Sequence, residues 1–183
     1  MLQTLPSQKL HHLKSLVILV GMLMMAIPKQ AFCQELDYGI HAKYIYYFTK
    51  YVDWPADRKT GPFIIGIIGN PDLFEQLTKV TELKKVRNQQ IIVINLTAET
   101  DPSNCNILFI GRIQSKLIDN YLLRIGGRPV LIVGEKQGFA KKGADINFTI
   151  RDEMLRFEMN VGNCKSKGLK VAGELEKLSY RID

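Results

Sequence analysis

The side chains best suited to catalysis are few in this chain. His41 is the only histidine after residue 33, so a serine–histidine or cysteine–histidine pair could form only through it. The sequence contains no G-x-S-x-G, H-E-x-x-H or C-x-x-C motif. We therefore expect a protein that is not an enzyme, and we interpret His41 as a partly exposed helix residue. A hydrolase with His41 as its base is a weaker alternative.

Metal and cofactor sites have little support in the sequence. Metal sites draw on clustered histidine, cysteine and carboxylate ligands, whereas only one histidine and two distant cysteines follow residue 33. Gly66 and Gly69 lack the further glycine of a dinucleotide-binding loop, and no G-K-[ST] sequence follows a glycine-rich loop. We predict no catalytic residue, no metal and no cofactor.

The two cysteines after residue 33 could have a redox role. Cys105 and Cys164 could form a disulfide in an oxidising compartment. Cys105 also precedes an apolar strand, which is an equally good setting for a buried free thiol. The residues themselves leave both interpretations open.

A small-ligand site is predicted where three buried strands end. Each of these strands is followed by a glycine and then a polar residue, and the polar residues are Asn70, Arg112 and Glu135. The carboxyl ends of strands in an open α/β sheet form a crevice that often binds ligands. Arg112 and Glu135 would then meet a small ligand. Alternatively, the glycines serve tight turns and the two charged side chains are simply solvated.

The elements that position these residues begin with an aromatic helix. Six of the twelve residues 44–55 are aromatic, and the run ends at Pro55, which stops a helix. The helical spacing predicts a stripe that faces the core, made of Ile40, Tyr44, Tyr47, Phe48 and Tyr51. Tyr46, Lys50 and Trp54 lie off this stripe. We predict that they form an aromatic and cationic surface patch that binds a partner protein.

The first 33 residues have the features of a cleaved secretory signal peptide. A basic segment precedes the apolar run 15–27, which is shorter than the roughly 20 residues of a membrane span. Cleavage between Cys33 and Gln34 fits best, and a lipid anchor on Cys33 or an uncleaved membrane anchor fits less well. The exported residues 34–183 carry 22 basic and 18 acidic side chains. This mild, scattered charge does not favour nucleic-acid binding.

Downstream of the aromatic helix, strands and helices alternate over one domain of residues 34–183. Buried apolar runs predict strands, and amphipathic segments closed by glycine or proline predict helices. The strands are predicted at 63–69, 90–95, 106–110, 130–133, 145–150, 154–159 and 168–171, and the helices at 72–79, 114–123 and 174–180. This order predicts a single-domain, three-layer α/β sandwich with a mainly parallel sheet and an antiparallel edge hairpin.

The segments, taken in order, resemble the YfiR family of bacterial periplasmic proteins. The resemblance covers about residues 38–180 and depends on the order and spacing of several short motifs. The motifs are Tyr47-Phe48-Thr49-Lys50-Tyr51-Val52-Asp53-Trp54-Pro55, Ile65-Gly66-Ile67-Ile68-Gly69-Asn70-Pro71, Cys105-Asn106-Ile107-Leu108-Phe109, Pro129–Phe139, Ile146-Asn147-Phe148, Arg156-Phe157-Glu158-Met159-Asn160 and Gly168-Leu169-Lys170-Val171.

The resemblance implies a function without catalysis. Its family has a Rossmann-like fold that is often dimeric, so a homodimer is expected. It also implies a periplasmic repressor of a membrane-bound diguanylate cyclase, which acts on the periplasmic domain of that enzyme and so on cyclic-di-GMP-dependent biofilm and adhesion. Relatives also occur beside sensor kinases and outer-membrane receptors, so the partner could be a sensor kinase.

The chain departs from the family pattern at positions that matter for redox control. Cys105 occupies a familiar cysteine position but has no obvious partner. Cys164 lies where a small residue is more usual, and Ala172 stands where serine is frequent. Two hypotheses follow. The first is a periplasmic regulator that docks onto a membrane signalling protein, and the second is a periplasmic small-ligand sensor that uses the crevice.

Overall fold

The computed structural model describes residues 37–182, and the predicted signal peptide lies outside this range. These residues cluster as one compact unit. The helices are α1 Tyr38–Tyr51, α2 Pro71–Thr81, α3 Ile118–Ile125, α4 Val161–Ser166 and α5 Gly173–Leu178. The strands are β1 Val52–Asp53, β2 Phe63–Ile68, β3 Lys85–Val86, β4 Gln89–Leu96, β5 Ile107–Ile110, β6 Leu131–Gly134, β7 Ile146–Arg151, β8 Met154–Met159, β9 Lys170–Val171 and β10 Tyr180–Arg181. Short 3₁₀ turns cover Ala56–Arg58, Pro102–Asn104, Arg112–Leu117 and Ala140–Lys142.

The middle layer is an eight-stranded sheet in the order β10-β8-β7-β6-β5-β2-β4-β3. Strands β7, β6, β5, β2 and β4 are parallel neighbours, whereas β8 runs antiparallel to β7 and β3 antiparallel to β4. The tight turn between β7 and β8 places Asp152 and Glu153 at positive φ, as a two-residue hairpin requires. The mainly parallel sheet with an antiparallel hairpin confirms the predicted fold class.

Two separate cores cover the two faces of this sheet. Alternate strand residues, such as Ile65, Phe109 and Val133, pack with α1, α2, α4 and α5. Their neighbours Leu108 and Ile132 pack on the other face with α3. Successive side chains of a strand point to opposite faces, so near-continuous apolar strands bury both. Three layers result, as the sequence predicts.

The strand order reverses between β2 and β5, and this reversal positions the candidate ligand site. From β2 the chain passes through α2 to β4 on one side, and then crosses to β5 on the other side. Asn70 is the N-cap of α2 at this point, and its side chain accepts a hydrogen bond from the Leu73 N–H at 2.9 Å. Ligands of open α/β sheets bind at such a reversal.

A second, two-stranded sheet is formed by β1 and β9 and is not hydrogen-bonded to the main one. The segment 168–171 was predicted as an edge strand, and its residues Lys170 and Val171 form β9. This strand pairs antiparallel with β1, with Val52 opposite Val171 and Asp53 opposite Lys170. The Ala172 N–H extends the pairing by donating to the Tyr51 carbonyl oxygen at 2.8 Å. The end of α1 is thereby tied to the C-terminal part of the chain.

The inward face of α1 differs from the predicted one. The buried residues are His41, Ala42, Ile45, Phe48 and Thr49. The prediction that Ile40, Tyr47 and Tyr51 face the core was wrong, because all three are exposed and Tyr47 is 54% exposed. Small side chains at 42 and 49 let the helix approach its neighbours closely, while phenol rings keep their hydroxyls near water. Among the described residues, no helix is both long and apolar enough to cross a membrane.

The prediction that Trp54 belongs to a surface patch was also wrong. Trp54 is 4% exposed, and its ring packs edge-on against Phe63 with centroids 4.9 Å apart. Its indole N–H donates to the Asn106 carbonyl oxygen at 3.2 Å. A tryptophan can be buried at low cost when its one donor finds an acceptor. Trp54 is therefore a core residue at the junction of α1 and the sheet.

We expect Trp54→Ala to lower the free energy of unfolding by about 3 to 5 kcal/mol, the usual cost of truncating a buried aromatic side chain. Urea denaturation followed by circular dichroism measures this loss. Tyr47→Ala is the control on the same helix and should change stability by less than about 0.5 kcal/mol, because Tyr47 is exposed. Equal losses from the two substitutions would contradict this assignment.

Candidate functional site

Asn70, Arg112 and Glu135 meet at the point where the strand order reverses. The Arg112 backbone N–H donates to Glu135 Oε1 at 2.9 Å, and the Asn70 side-chain amide donates to the same oxygen at 3.4 Å. Gly111 lets these strand ends approach, since a side chain there would collide with the Gly69 carbonyl. The fold therefore brings together the three residues that the sequence predicts at the strand ends. Their ligand-binding role stays a prediction.

Glu135 is enclosed by the protein itself. Its residue is only 6% exposed, and the Tyr38 hydroxyl donates to its Oε2 at 3.1 Å. Burial, followed by the charge of Glu135, raises the pKa of Tyr38, so the phenol remains a donor. A ligand that seeks this carboxylate has to displace Tyr38, Asn70 or the Arg112 amide. These hydrogen bonds to Glu135 form a latch that ties the first turn of α1 to the strand ends.

His41 lies next to this latch and is 2% exposed, so the expectation of a partly exposed residue was wrong. Its Nδ1 lies 3.3 Å from the Asp37 carbonyl oxygen, while its buried Nε2 has no hydrogen-bond partner among residues 37–182. The ring packs 5.0 Å from the Tyr38 ring and 4.7 Å from the Phe148 ring. Burial lowers the pKa of His41. His41 is therefore enclosed in the aromatic core between Tyr38 and Phe148.

Tyr46 and Lys50 lie together along one side of α1, where Lys50 is exposed and Tyr46 is half-buried against the core. The ammonium groups of Lys50 and Lys84 lie 5.0 and 4.4 Å from the centre of the Tyr46 ring. Lys50 also donates to the Lys85 carbonyl oxygen at 3.2 Å. Two members of the predicted patch thus remain accessible after Trp54 is removed from it, and their partner-binding role stays a prediction.

An open cleft near the end of α1 was missed by the sequence analysis. Its volume is about 440 Å³, and its lining includes Lys50 and Trp54 together with residues of β1, β9 and the β3–β4 hairpin. These segments are far apart in the sequence, and their basic residues looked scattered there. The neighbouring pair Lys84-Lys85 indicates a basic surface beside the cleft, since Lys85 precedes the lining residue Val86 in β3.

A sequence profile of the protein family described as YfiR/HmsC-like matches residues 38–180, which is nearly all of the described chain. The chain belongs to the YfiR/HmsC-like family. No curated protein matches it. The family is one of periplasmic regulators of diguanylate cyclases and is regulatory rather than catalytic. The resemblance inferred from the ordered motifs is thereby confirmed.

Both cysteines of this YfiR/HmsC-like chain that lie in the described residues are free and buried. Cys105 packs in the core on the α3 face of the sheet, whereas Cys164 packs in the core on the α1 face. The sequence left both a disulfide and buried free thiols open, and the structure shows buried free thiols. Burial raises the pKa of Cys105 to about 11 and that of Cys164 to about 12. Reactive thiolates are therefore scarce at neutral pH.

We expect the free energy of unfolding to fall as the pH drops below 6.5, the ordinary pKa of histidine. The unfolded chain binds a proton there while folded His41, whose pKa is lowered, resists it, so protonation favours unfolding. His41→Phe should reduce this slope, because it retains a buried ring without a titrating group. Chemical denaturation of both proteins between pH 7 and pH 5 measures the difference. Parallel slopes would contradict a lowered pKa.

Thiol accessibility provides a second test of the site. Native protein processed to residues 34–183 should react slowly with Ellman's reagent, because Cys105 and Cys164 are buried and protonated. Denaturation should expose both thiols, and Cys164→Ala should halve that signal. Rapid reaction of the native protein would contradict the burial, and absence of reaction after denaturation would indicate a disulfide.

Proposed function

We propose that this protein is a non-catalytic periplasmic regulator that docks onto the extracytoplasmic domain of a membrane signalling protein. The partner we favour is a diguanylate cyclase, which the protein represses, thereby limiting cyclic-di-GMP-dependent biofilm formation and adhesion. The family match over residues 38–180 is the observation that carries this proposal. The signal-peptide pattern of residues 1–33 supports export to the compartment in which such a domain lies.

The outer face of α1 is the docking surface that we propose. It presents Tyr46 and Lys50, and the rotation of the helix adds the exposed rings of Tyr47 and Tyr51. Aromatic side chains supply much of the binding energy at protein interfaces, and they lose little conformational freedom when they bind. A helix anchored by its opposite face also holds them rigidly.

A small-ligand sensor is the second candidate function, and the convergence of Asn70, Arg112 and Glu135 favours it. These groups meet at the reversal of strand order, where ligands bind in other open α/β sheets. In such a sensor the ligand would replace Tyr38 as the donor to Glu135 and so free the first turn of α1. Ligand binding could then tune docking, so both functions could operate in one protein.

Capture of the partner tests the proposed function. The full chain is expressed in the periplasm of its native host and cross-linked briefly, and co-purifying proteins are identified by mass spectrometry. We expect an inner-membrane cyclase or kinase to be enriched. Lys50→Glu should reduce its recovery about tenfold, because it reverses a charge on the docking surface. Lys141→Glu, which reverses an exposed charge outside α1, is the matched control.

Two outcomes would contradict docking through α1. Equal recovery with Lys50→Glu and Lys141→Glu would move the interface away from this helix. Recovery of the protein alone, with a small-molecule adduct in native mass spectrometry, would favour the ligand sensor instead. Circular dichroism of each variant confirms that the fold survives, since both side chains are exposed.

A further inference from the structure

The cleft at the end of α1 lies where edges of the two sheets meet. Strand β1 forms one edge of the small sheet, and β3 is the last strand at one end of the main sheet. Residues of both strands line the cleft, Tyr51 and Val171 give it accessible apolar surface, and the almost fully buried Trp54 and Phe63 also border it. An edge strand presents backbone N–H and C=O groups that a further extended chain can pair with.

The charge of the cleft is strongly one-sided. Four cationic side chains line it, and Asp53 is the one acidic side chain among its lining residues; the cations are Lys50, Lys59, Arg87 and Lys170. Asp53 pairs with Lys59 and with Arg87, each at 2.9 Å, so its single charge is shared between two cations. In the part of the chain that the structure describes, Lys50 and Lys170 form no ion pair. The lining therefore carries an excess of three positive charges.

The basic surface continues beyond the cleft. Lys85 belongs to β3, and the ammonium group of Lys84 lies over the ring of Tyr46. Lys50 links the two regions, since it lines the cleft and also contacts Tyr46. A band of positive charge thus runs from the cleft across β3 to the outer face of α1. A single small anion would use only part of this band, whereas an extended polypeptide could follow its length.

We infer that this cleft binds an extended acidic segment of the partner's extracytoplasmic domain. This inference rests on the proposed docking function and identifies the chemistry of the partner. Carboxylates of the segment would pair with Lys59 and Lys170, while its backbone would pair with a strand edge. Apolar side chains between the carboxylates would meet Tyr51 and Val171 of the lining. Asp53 competes with the segment for Lys59.

The only tryptophan of the chain lines the cleft, so its fluorescence reports on binding there. The probe is a capped hexapeptide of alternating glutamate and valine, and the reference is the same peptide with glutamine in place of glutamate. We expect the acidic peptide to change the emission of Trp54 saturably, and the glutamine peptide to bind at least about tenfold more weakly. Raising the salt concentration from 0.05 to 0.5 M should weaken the acidic peptide further.

Substitutions in the cleft should act in opposite directions. Lys59→Gln/Lys170→Gln should weaken the acidic peptide about tenfold, because it removes two cations. Asp53→Asn should strengthen binding, because it removes the competing carboxylate. Lys141→Gln/Lys142→Gln removes two exposed cations outside the cleft lining and should leave the affinity unchanged. Thermal denaturation verifies that each variant is folded.

Several results would overturn the inference. These are equal binding of the two peptides, no effect of Lys59→Gln/Lys170→Gln, or equally tight binding of succinate, which would indicate a site for small anions. Peptide binding without capture of a membrane partner would support the cleft and contradict the proposed function. Capture of a partner without peptide binding would support the function and contradict the cleft.

Discussion

The rotation of α1 about its own axis is fixed by the packing of its aromatic side chains on Phe148 and Phe157, and much of the surface depends on it. Phe48 stacks on Phe148 of β7 with ring centroids 5.9 Å apart and meets Phe157 of β8 edge-on at 5.3 Å. Because β7 and β8 form a hairpin, Phe148 and Phe157 are paired across the strands. The Phe48 ring packs against both of them and so fixes which face of the helix is buried. Aromatic pairs of this kind add stability beyond the area that they bury.

The rotation of α1 also positions the residues at its two ends. At its start, His41 lies against Phe148, and the Tyr38 hydroxyl reaches Glu135 at the strand ends. At its end, Trp54 is buried in the core and donates to the Asn106 carbonyl oxygen. The tyrosines on the opposite face remain in water. One helix therefore joins the latch, the proposed docking surface and the basic cleft.

The strand ends were easier to predict than the helix faces. Asn70, Arg112 and Glu135 follow buried parallel strands, and the carboxyl ends of such strands must lie at the same edge of a sheet. The aromatic helix has large apolar residues on nearly every side, so periodicity could not identify its inward face. The burial of Trp54 depends on an acceptor at Asn106, which lies 52 positions away in the sequence.

By itself, the sequence determined the alternation of strands and helices, the three-layer α/β class and the family. These features can be predicted from local patterns because apolar runs and turn residues depend directly on backbone geometry. The tertiary structure alone decided which face of α1 is exposed, that the two thiols lie on opposite faces of the sheet, and that Lys59, Arg87 and Lys170 share one cleft. Each of these depends on contacts between distant segments, whose register and rotation are set by packing rather than by local preference.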